Sequence, residues 1–174
     1  MKLHLHEGKS YVRVSTLLQK FSDFSQIDPA VLERKQNIGT EIHQAIHEFV
    51  KGEFAYMSPS AVGYFRSFKR WFSSLKPEFI ISEERYFDDD RMITGQIDGV
   101  IRFPHEKQGV LIDFKTSAQE NSASWMRQAH LYAHLMHRNG IYINDTYLFI
   151  KLDKSGEMPK VFRYKHDQFV MHEC

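Results

Sequence analysis

Two consecutive apolar strands that each carry a buried charge constrain the fold of this chain most strongly. The segment GVLIDFKT has the nearly continuous apolar pattern of a central strand. Asp113 and Lys115 share one face of it, because side chains alternate along a strand. A loop of hairpin length, PHEKQG, joins it to the preceding strand, GQIDGVIRF. The two strands are therefore predicted to be antiparallel neighbours, with Asp98 beside Asp113.

Adjacent buried carboxylates are the basis for predicting a metal site. Asp98 and Asp113 would repel each other, and a divalent cation held through oxygen atoms is the simplest remedy. Such an ion polarises a phosphoryl oxygen and activates water, while a nearby lysine stabilises the charge that grows on phosphate. An isolated D-x-K pattern is more often a structural ion pair on an exposed strand. The apolar setting of both strands favours a catalytic set of Asp98, Asp113 and Lys115.

The helix after the D-x-K strand carries polar side chains on its apolar face. At 100° per residue, Gln128 and Tyr132 lie one turn apart in the middle of that face. A glutamine there requires hydrogen-bond partners. Two interpretations stay open: a core amide packed beside an aromatic ring, or a pair that contacts substrate near the carboxylates.

Ten histidines raise the question of a zinc site. Three lie opposite Gln128 on the same helix and are predicted to face solvent: His130, His134 and His137. His43 lies at the edge of the apolar stripe of an earlier helix, where it either reaches a site or is a satisfied edge histidine. His43 and His47 are four residues apart, but the segment lacks the glutamate of a zincin H-E-x-x-H motif.

Several acidic and glycine residues are less decisive. Glu83 and Glu84 alternate on the first long strand, so one of them faces inward, and the sequence leaves open which one. The run Asp88-Asp89-Asp90 is predicted to be a solvated turn. Gly95 and Gly99 interrupt a strand, which is typical of a bulge or of close approach by a ligand or another backbone.

The order of the predicted elements indicates one α/β domain over residues 1–174. A short hairpin opens the chain, and helices account for most of residues 13–76. Strands follow from residue 79 to residue 166, interrupted by the helix that begins at Asn121. The predicted fold is a mixed five-stranded sheet flanked by helices.

Composition limits the classes of function. The net charge is only +1, so nucleic-acid binding would depend on local basic groups. Arg66, Lys69 and Arg70 on the third helix either follow backbone phosphates or form a solvated face. The one cysteine, Cys174, excludes an intramolecular disulfide and any multi-cysteine zinc or iron–sulfur site. No segment is typical of a signal peptide or a membrane span, so a soluble, cytoplasmic protein is expected.

Four segments together resemble the PD-(D/E)XK nuclease superfamily, and more closely its RecB-like exonuclease branch. They are IGTEIHQAIHEF, GQIDGV, LIDFKTS and QAHLY, in that order between residues 10 and 153. The opening VRVSTLLQKF is similar to that of small phage and organellar members. The resemblance implies a restriction-endonuclease-like core and a nuclease that acts on DNA.

The resemblance also implies a role for each site residue. The implied metal ligands are His43, Asp98, Asp113 and the carbonyl of Phe114. Lys115 would serve the nucleophilic water. Gln128 and Tyr132 would contact the DNA strand near the scissile phosphate.

The expected function is therefore a Mg²⁺- or Mn²⁺-dependent deoxyribonuclease, using one or two ions. An exonuclease that acts on DNA ends in repair, recombination or replication is expected first. A structure-specific endonuclease of the same fold and a non-catalytic DNA-binding subunit are the alternatives. A histidine ligand favours Mn²⁺. No iron–sulfur cluster is expected, and any unwinding would come from a helicase or recombination partner, because the sequence contains no helicase segment.

Overall fold

The strands and helices follow one another in nearly the predicted order. The computed structural model describes residues 3–21 and 27–167, so Cys174 lies outside the described residues. The strands are β1 (Leu3–His6), β2 (Lys9–Arg13), β3 (Glu78–Asp88), β4 (Ile93–Arg102), β5 (Val110–Lys115), β6 (Thr146–Lys151) and β7 (Lys160–Lys165). The helices are α1 (Val14–Leu17), which continues as a 3₁₀ turn (Leu18–Phe21), α2 (Pro29–Lys51), α3 (Val62–Leu75) and α4 (Ser122–Arg138).

Local capping sets the ends of the two helices that line the site. Asp28 begins α2 by accepting the N–H of Ala30 at 2.8 Å, with Pro29 in the first turn. The helix ends at Gly52, whose φ of 75° suits glycine. The Asn121 side chain begins α4 in the same way, by accepting the N–H of Ser124 at 3.1 Å. Both starting points were readable from the sequence.

The sheet is mixed and contains seven strands, in the order β1-β2-β4-β5-β6-β7, with β3 on the other edge of β4. The restriction-endonuclease-like α/β fold is confirmed, but the predicted number of five strands is wrong. The two extra strands are those of the opening hairpin. Val12 and Arg13 of β2 pair in parallel with Ile93 and Thr94 of β4, a long-range pairing for which a short strand gives no local signal.

β4 branches the sheet at its middle. On one edge it pairs along its length with β3. On the other edge β2 takes its first two residues and β5 takes Gly99–Ile101, in the antiparallel pairing that the sequence predicts. The register of Gly99 with Ile112 places Asp98 opposite Asp113, where β4 and β5 begin to separate. At this branch point, residues 95–98 of β4, neither β2 nor β5 pairs with the strand.

The helices cover both faces of the sheet and build two apolar cores. α1 and α4 pack on one face, around Ile97, Leu111 and Phe149. α2 and α3 pack on the other face, where Phe68 and Trp71 contact Phe114 edge to face at 5.4 and 6.0 Å between ring centroids. Full burial of each such side chain stabilises the fold by about 1.5–3 kcal/mol. The same core contains Ile42, Ala45 and Ile46, so α2 is held against this face of the sheet.

Two predictions of solvent exposure are wrong. His130 is fully buried and His134 is half-buried, although His137 is exposed as expected. The segment after β7 covers His130, whose Nε2 accepts the N–H of Asp167 at 2.7 Å. Asp89 and Asp90 lie exposed in a turn as predicted, but Asp88 is the last residue of β3 and is buried, where it bonds to His134 of α4. Within the described residues, no helix has both the length and the apolar character needed to cross a bilayer.

Candidate active site

The Asp98 carboxylate lies at the branch point of the sheet and is almost buried. Its Oδ2 accepts the backbone N–H of Phe114 at 2.7 Å, a donor of β5 that no β4 carbonyl reaches where the strands separate. Its Oδ1 lies 3.1 Å from Nδ1 of His43. The side chain of Asp98 is thus fixed by β5 on one side and by α2 on the other.

His43 contacts a second acidic side chain in addition to Asp98. Its Nδ1 lies 3.3 Å from Oε1 of Glu83 on β3. One donor atom from each of His43, Glu83 and Asp98 lies within 4.8 Å of the others. Burial lowers the pKa of His43, but Asp98 and Glu83 outweigh it and raise that pKa well above its usual 6.5. The imidazolium proton therefore supplies the positive charge that the two carboxylates require.

Glu83 owes its position to an irregularity in β3. Its φ is 53°, in the left-handed region, between the regular pairs of Ser82 with Gly99 and Glu84 with Ile97. This conformation costs a non-glycine residue on the order of 1 kcal/mol, and such strain within a regular strand is a feature that clusters at functional sites. Gln96 stabilises the side chain by donating to Oε2 at 2.7 Å. The sequence left Glu83 and Glu84 undistinguished, and the structure turns Glu83 inward.

Asp113 and Lys115 form an ion pair on the α4 side of β5. Lys115 Nζ lies 2.6 Å from Oδ2 of Asp113, which is 1% exposed. Gln128 bridges the pair: its Nε2 donates to Asp113 Oδ1 at 3.0 Å, and its Oε1 accepts from Lys115 at 2.8 Å. Burial and the facing Asp98 raise the pKa of Asp113 to about 7, although Lys115 opposes them. Asp113 therefore lies beside the His43–Glu83–Asp98 cluster, held by its own partners.

Gln128 and Tyr132 act together on the buried face of α4. Gln128 Nε2 also donates to the Tyr132 hydroxyl at 3.0 Å, which satisfies the amide that the sequence placed on an apolar face. Burial and Asp113 raise the pKa of Tyr132, so its hydroxyl stays protonated. Gly95 makes room for this ring, since a Cβ there would lie 2.7 Å from Tyr132 Cε1. The close approach indicated by Gly95 is thus made by Tyr132.

Phe114 contacts the core through its side chain and the site through its backbone. Its side chain lies in the α2–α3 core, and its backbone N–H donates to Asp98. The role of its carbonyl as a metal ligand stays a prediction.

A polar cleft of about 760 Å³ opens over the branch point. Its lining includes five side chains of the network: His43, Glu83, Asp98, Lys115 and Gln128. Such a volume is typical of a ligand site. Asp113 lies behind Lys115 and Gln128 and does not line the cleft.

The basic residues of α3 do not line the cleft either. Arg66 packs on Gly156, Arg70 pairs with Glu157 at 3.1 Å, and Lys69 lies over the ring of Phe65. The contacts of Arg66 and Arg70 hold the turn between β6 and β7, whereas that of Lys69 lies within α3, and all three favour the structural interpretation of these cations.

Comparison with known proteins identifies the family of the chain. A family model for the PD-(D/E)XK nuclease superfamily matches residues 17–172. Two solved structures are similar, each with a TM-score of 0.47: SSO0001, at 11% identity over 97% of this chain and 73% of that chain, and LHK-Exo in complex with dAMP, at 12% identity over 94% and 81%. No curated protein matches the chain. The chain belongs to the PD-(D/E)XK nuclease superfamily, a group of metal-dependent hydrolases.

Proposed function

We propose that the protein is a Mg²⁺- or Mn²⁺-dependent deoxyribonuclease that hydrolyses phosphodiester bonds at DNA ends. The observation that carries the proposal is the His43–Glu83–Asp98 cluster, which adjoins the Asp113–Lys115 pair on the floor of an open cleft. Three groups with metal-ligand chemistry converge from three elements, and the buried carboxylate of Asp113 lies beside them. The resemblance to RecB-like exonucleases supports action at ends.

The donor set fits a divalent cation. Two carboxylates suit a hard ion such as Mg²⁺, while the imidazole of His43 favours Mn²⁺. We propose that His43, Glu83 and Asp98 hold the ion by their side chains, with Asp113 and the Phe114 carbonyl as further ligands. A bound ion would supply a Lewis acid that polarises the phosphodiester.

Lys115 is the proposed catalytic cation of the chain itself. An ammonium group has three N–H donors; Gln128 accepts one of them, and the ammonium also lies 2.6 Å from Oδ2 of Asp113 as an ion pair. The remaining N–H is assigned to the attacking water or to a phosphate oxygen, where it would stabilise the growing negative charge. Gln128 fixes Lys115 in this orientation from α4.

Gln128 and Tyr132 are the proposed DNA contacts. Gln128 lines the cleft, whereas Tyr132 is nearly buried and supports the amide through its hydroxyl. We therefore assign the direct contact to Gln128 and a positioning role to Tyr132. A role in DNA repair, recombination or replication, with a helicase or recombination partner, is proposed from the resemblance to RecB-like exonucleases.

The first experiment compares linear and circular DNA. End-labelled single- and double-stranded DNA and a covalently closed circle are incubated with the protein in Mg²⁺ or Mn²⁺. The proposal predicts loss of the linear substrates with the circle intact. Cleavage of the circle would assign an endonuclease instead.

Variants assign the activity to the site. Lys115→Ala and Asp98→Asn should each abolish cleavage, while Arg102→Gln, an exposed arginine paired with Glu78, should leave it unchanged. Cleavage by both site variants at the rate of the unaltered protein would place the activity elsewhere. Binding of DNA without any cleavage or Mn²⁺ uptake would indicate a non-catalytic subunit.

A further inference from the structure

Two arginines flank β4 on the same face of the sheet, next to the cleft. Arg13 of β2 pairs with Thr94, and Arg85 of β3 pairs with Gln96 on the opposite edge. Paired residues on neighbouring strands share a face, and so do residues two apart on one strand. Arg13, Arg85 and Gln96 therefore project to the same side. Arg13 and Gln96 both line the cleft that contains the proposed metal cluster.

Arg13 has no carboxylate partner among the described residues. Its Nε is shielded from solvent and has no hydrogen-bond acceptor in that part of the chain. A buried donor without a partner is costly, and a guanidinium offers five donors in a fixed planar arrangement. Ser15 and Thr16, two and three residues further along the chain, add hydroxyl groups to the lining of the same cleft. This combination is typical of a site that receives an oxyanion.

Arg85 is connected to the metal cluster through one glutamine. Its NH2 donates to Oε1 of Gln96 at 2.7 Å, and Nε2 of Gln96 donates to Glu83 at 2.7 Å. Burial lowers the pKa of Arg85, and the nearby Arg13 lowers it further. The like charges of Arg13 and Arg85 thus repel each other, which destabilises the folded protein. An anion between or beside them would offset that repulsion.

We propose that Arg13 and Arg85 form a phosphate-binding subsite at the end of the cleft, for a phosphate other than the one that is cleaved. This inference rests on the proposed function for its natural ligand, a DNA strand. Arg13 makes a direct, bidentate contact with the phosphate oxygens. Arg85 contributes positive charge, and through Gln96 it couples the occupied subsite to Glu83. The subsite would set how far along the strand the cleaved bond lies from the bound phosphate.

The first test uses inorganic phosphate and no nucleic acid. Thermal unfolding is followed in EDTA with increasing phosphate, for the unaltered protein, Arg13→Gln, Arg85→Gln and Arg13→Lys. Phosphate should raise the Tm of the unaltered protein, because a ligand that binds only the folded state stabilises it. Arg13→Gln and Arg85→Gln should lose most of this rise, and Arg13→Lys should keep part of it. Arg102→Gln is the matched control, since it removes an exposed arginine near the far end of β4.

The second test identifies the source of the phosphate. Affinities are measured in EDTA for otherwise identical oligonucleotides with a 5′-phosphate, a 3′-phosphate or only hydroxyl ends. Arg13→Gln should weaken binding by about tenfold, as expected for one charge-assisted contact. The slope of log affinity against log salt should fall by about 0.7 for one lost contact to a single strand. A loss confined to one end-phosphorylated form assigns a terminal phosphate, and an equal loss for all three assigns an internal one.

The outcomes separate this inference from the proposed function. An Arg13→Gln protein that responds to phosphate and oligonucleotides as the unaltered protein does would overturn the subsite, whether or not DNA is cleaved. A protein that fails to cleave DNA but loses its phosphate response in Arg13→Gln would overturn the nuclease proposal and keep the anion site. Arg85→Gln and Arg13→Lys keep the test decisive if Arg13→Gln fails to fold.

Discussion

Asp88 and Asp113 are both 1% exposed, yet the pKa values of these two carboxylates are shifted in opposite directions. Asp88 accepts the N–H groups of Asp90 and Arg91 at 3.0 and 3.2 Å, and it bonds His134 at 2.7 Å. Burial raises the pKa of Asp88, but these donors outweigh it and lower the pKa to about 2. Asp113 lies opposite Asp98 on the neighbouring strand. Burial and the charge of Asp98 raise the pKa of Asp113.

The comparison shows that the balance of neighbouring groups, more than burial, distinguishes a structural carboxylate from a candidate functional one. Asp88 has enough donors nearby to remain charged, and it joins β3, α4 and the β3–β4 turn. Around Asp113, the three carboxylates of Glu83, Asp98 and Asp113 are opposed by one lysine and one protonatable histidine. This excess of negative charge lowers the stability of the folded protein, and it gives the region the capacity to bind a cation.

Asp113→Asn should mainly reduce activity, whereas Asp88→Asn should mainly reduce stability. The larger of the two effects is the one on activity. Asp113→Asn should reduce cleavage by about 10³-fold, because it removes the charge that fixes Lys115 beside the cleft. Asp88→Asn should leave the rate per folded molecule unchanged. Initial rates on end-labelled DNA, normalised to the folded fraction, measure both. A fully active Asp113→Asn would remove Asp113 from the catalytic set.

Stability should change in the reverse order. Asp88→Asn should lower the free energy of unfolding by about 2 kcal/mol, because His134 and two backbone N–H groups lose a charged acceptor. Asp90→Asn, an exposed change in the same turn, is the matched control and should have a small effect. Urea unfolding at neutral pH measures the difference. Equal effects of the two changes would contradict a structural role for Asp88.

The two carboxylates should also give the stability opposite dependences on pH. The pKa of Asp88 is lowered on folding, so its contribution is present above about pH 4 and is lost as the pH falls towards 2. The pKa of Asp113 is raised on folding, so the folded state loses stability as the pH rises from about 4 to 7. Urea unfolding across pH in EDTA should show this decline, and Asp113→Asn should remove it. A decline that persists in Asp113→Asn would assign it to another group.

The smallest expected effect is on metal affinity as a function of pH. His43 has a raised pKa between Asp98 and Glu83, so a proton competes with any cation for its nitrogen. Mn²⁺ affinity should therefore increase as the pH rises from 6 to 8, and His43→Gln should flatten this dependence while it weakens binding. Calorimetric titration at several pH values measures both. An equally steep pH dependence in His43→Gln would exclude His43 as the competing group.

Local patterns predicted the parts of the site that lie on adjacent elements. The hairpin-length loop and strand alternation predicted that Asp98 faces Asp113, and the pairing of β4 with β5 confirms it. A glutamine on an apolar helix face predicted that Gln128 needs partners, which Asp113, Lys115 and Tyr132 supply. In each case the relevant contacts follow from spacing within about thirty residues of sequence.

The remaining features depend on long-range packing that has no local signal. The inward turn of Glu83 accompanies its left-handed backbone conformation in the interior of β3, which alternation alone does not specify. Asp88 is buried because α4 brings His134 to the end of β3, forty-six residues away in sequence. The parallel pairing of β2 with β4 likewise joins segments that are eighty-one residues apart, as the Arg13–Thr94 pair shows.

Titration with Mn²⁺ tests the central claim most directly. The unaltered protein and Asp88→Asn, under conditions where both are folded, should bind Mn²⁺ with the same stoichiometry and affinity. Asp98→Asn should lose most of that binding, because Asp98 is the member of the cluster that is held by both α2 and β5. Specific uptake that is equal in all three proteins, or absent from the unaltered protein, would contradict a cation site at the branch point of the sheet.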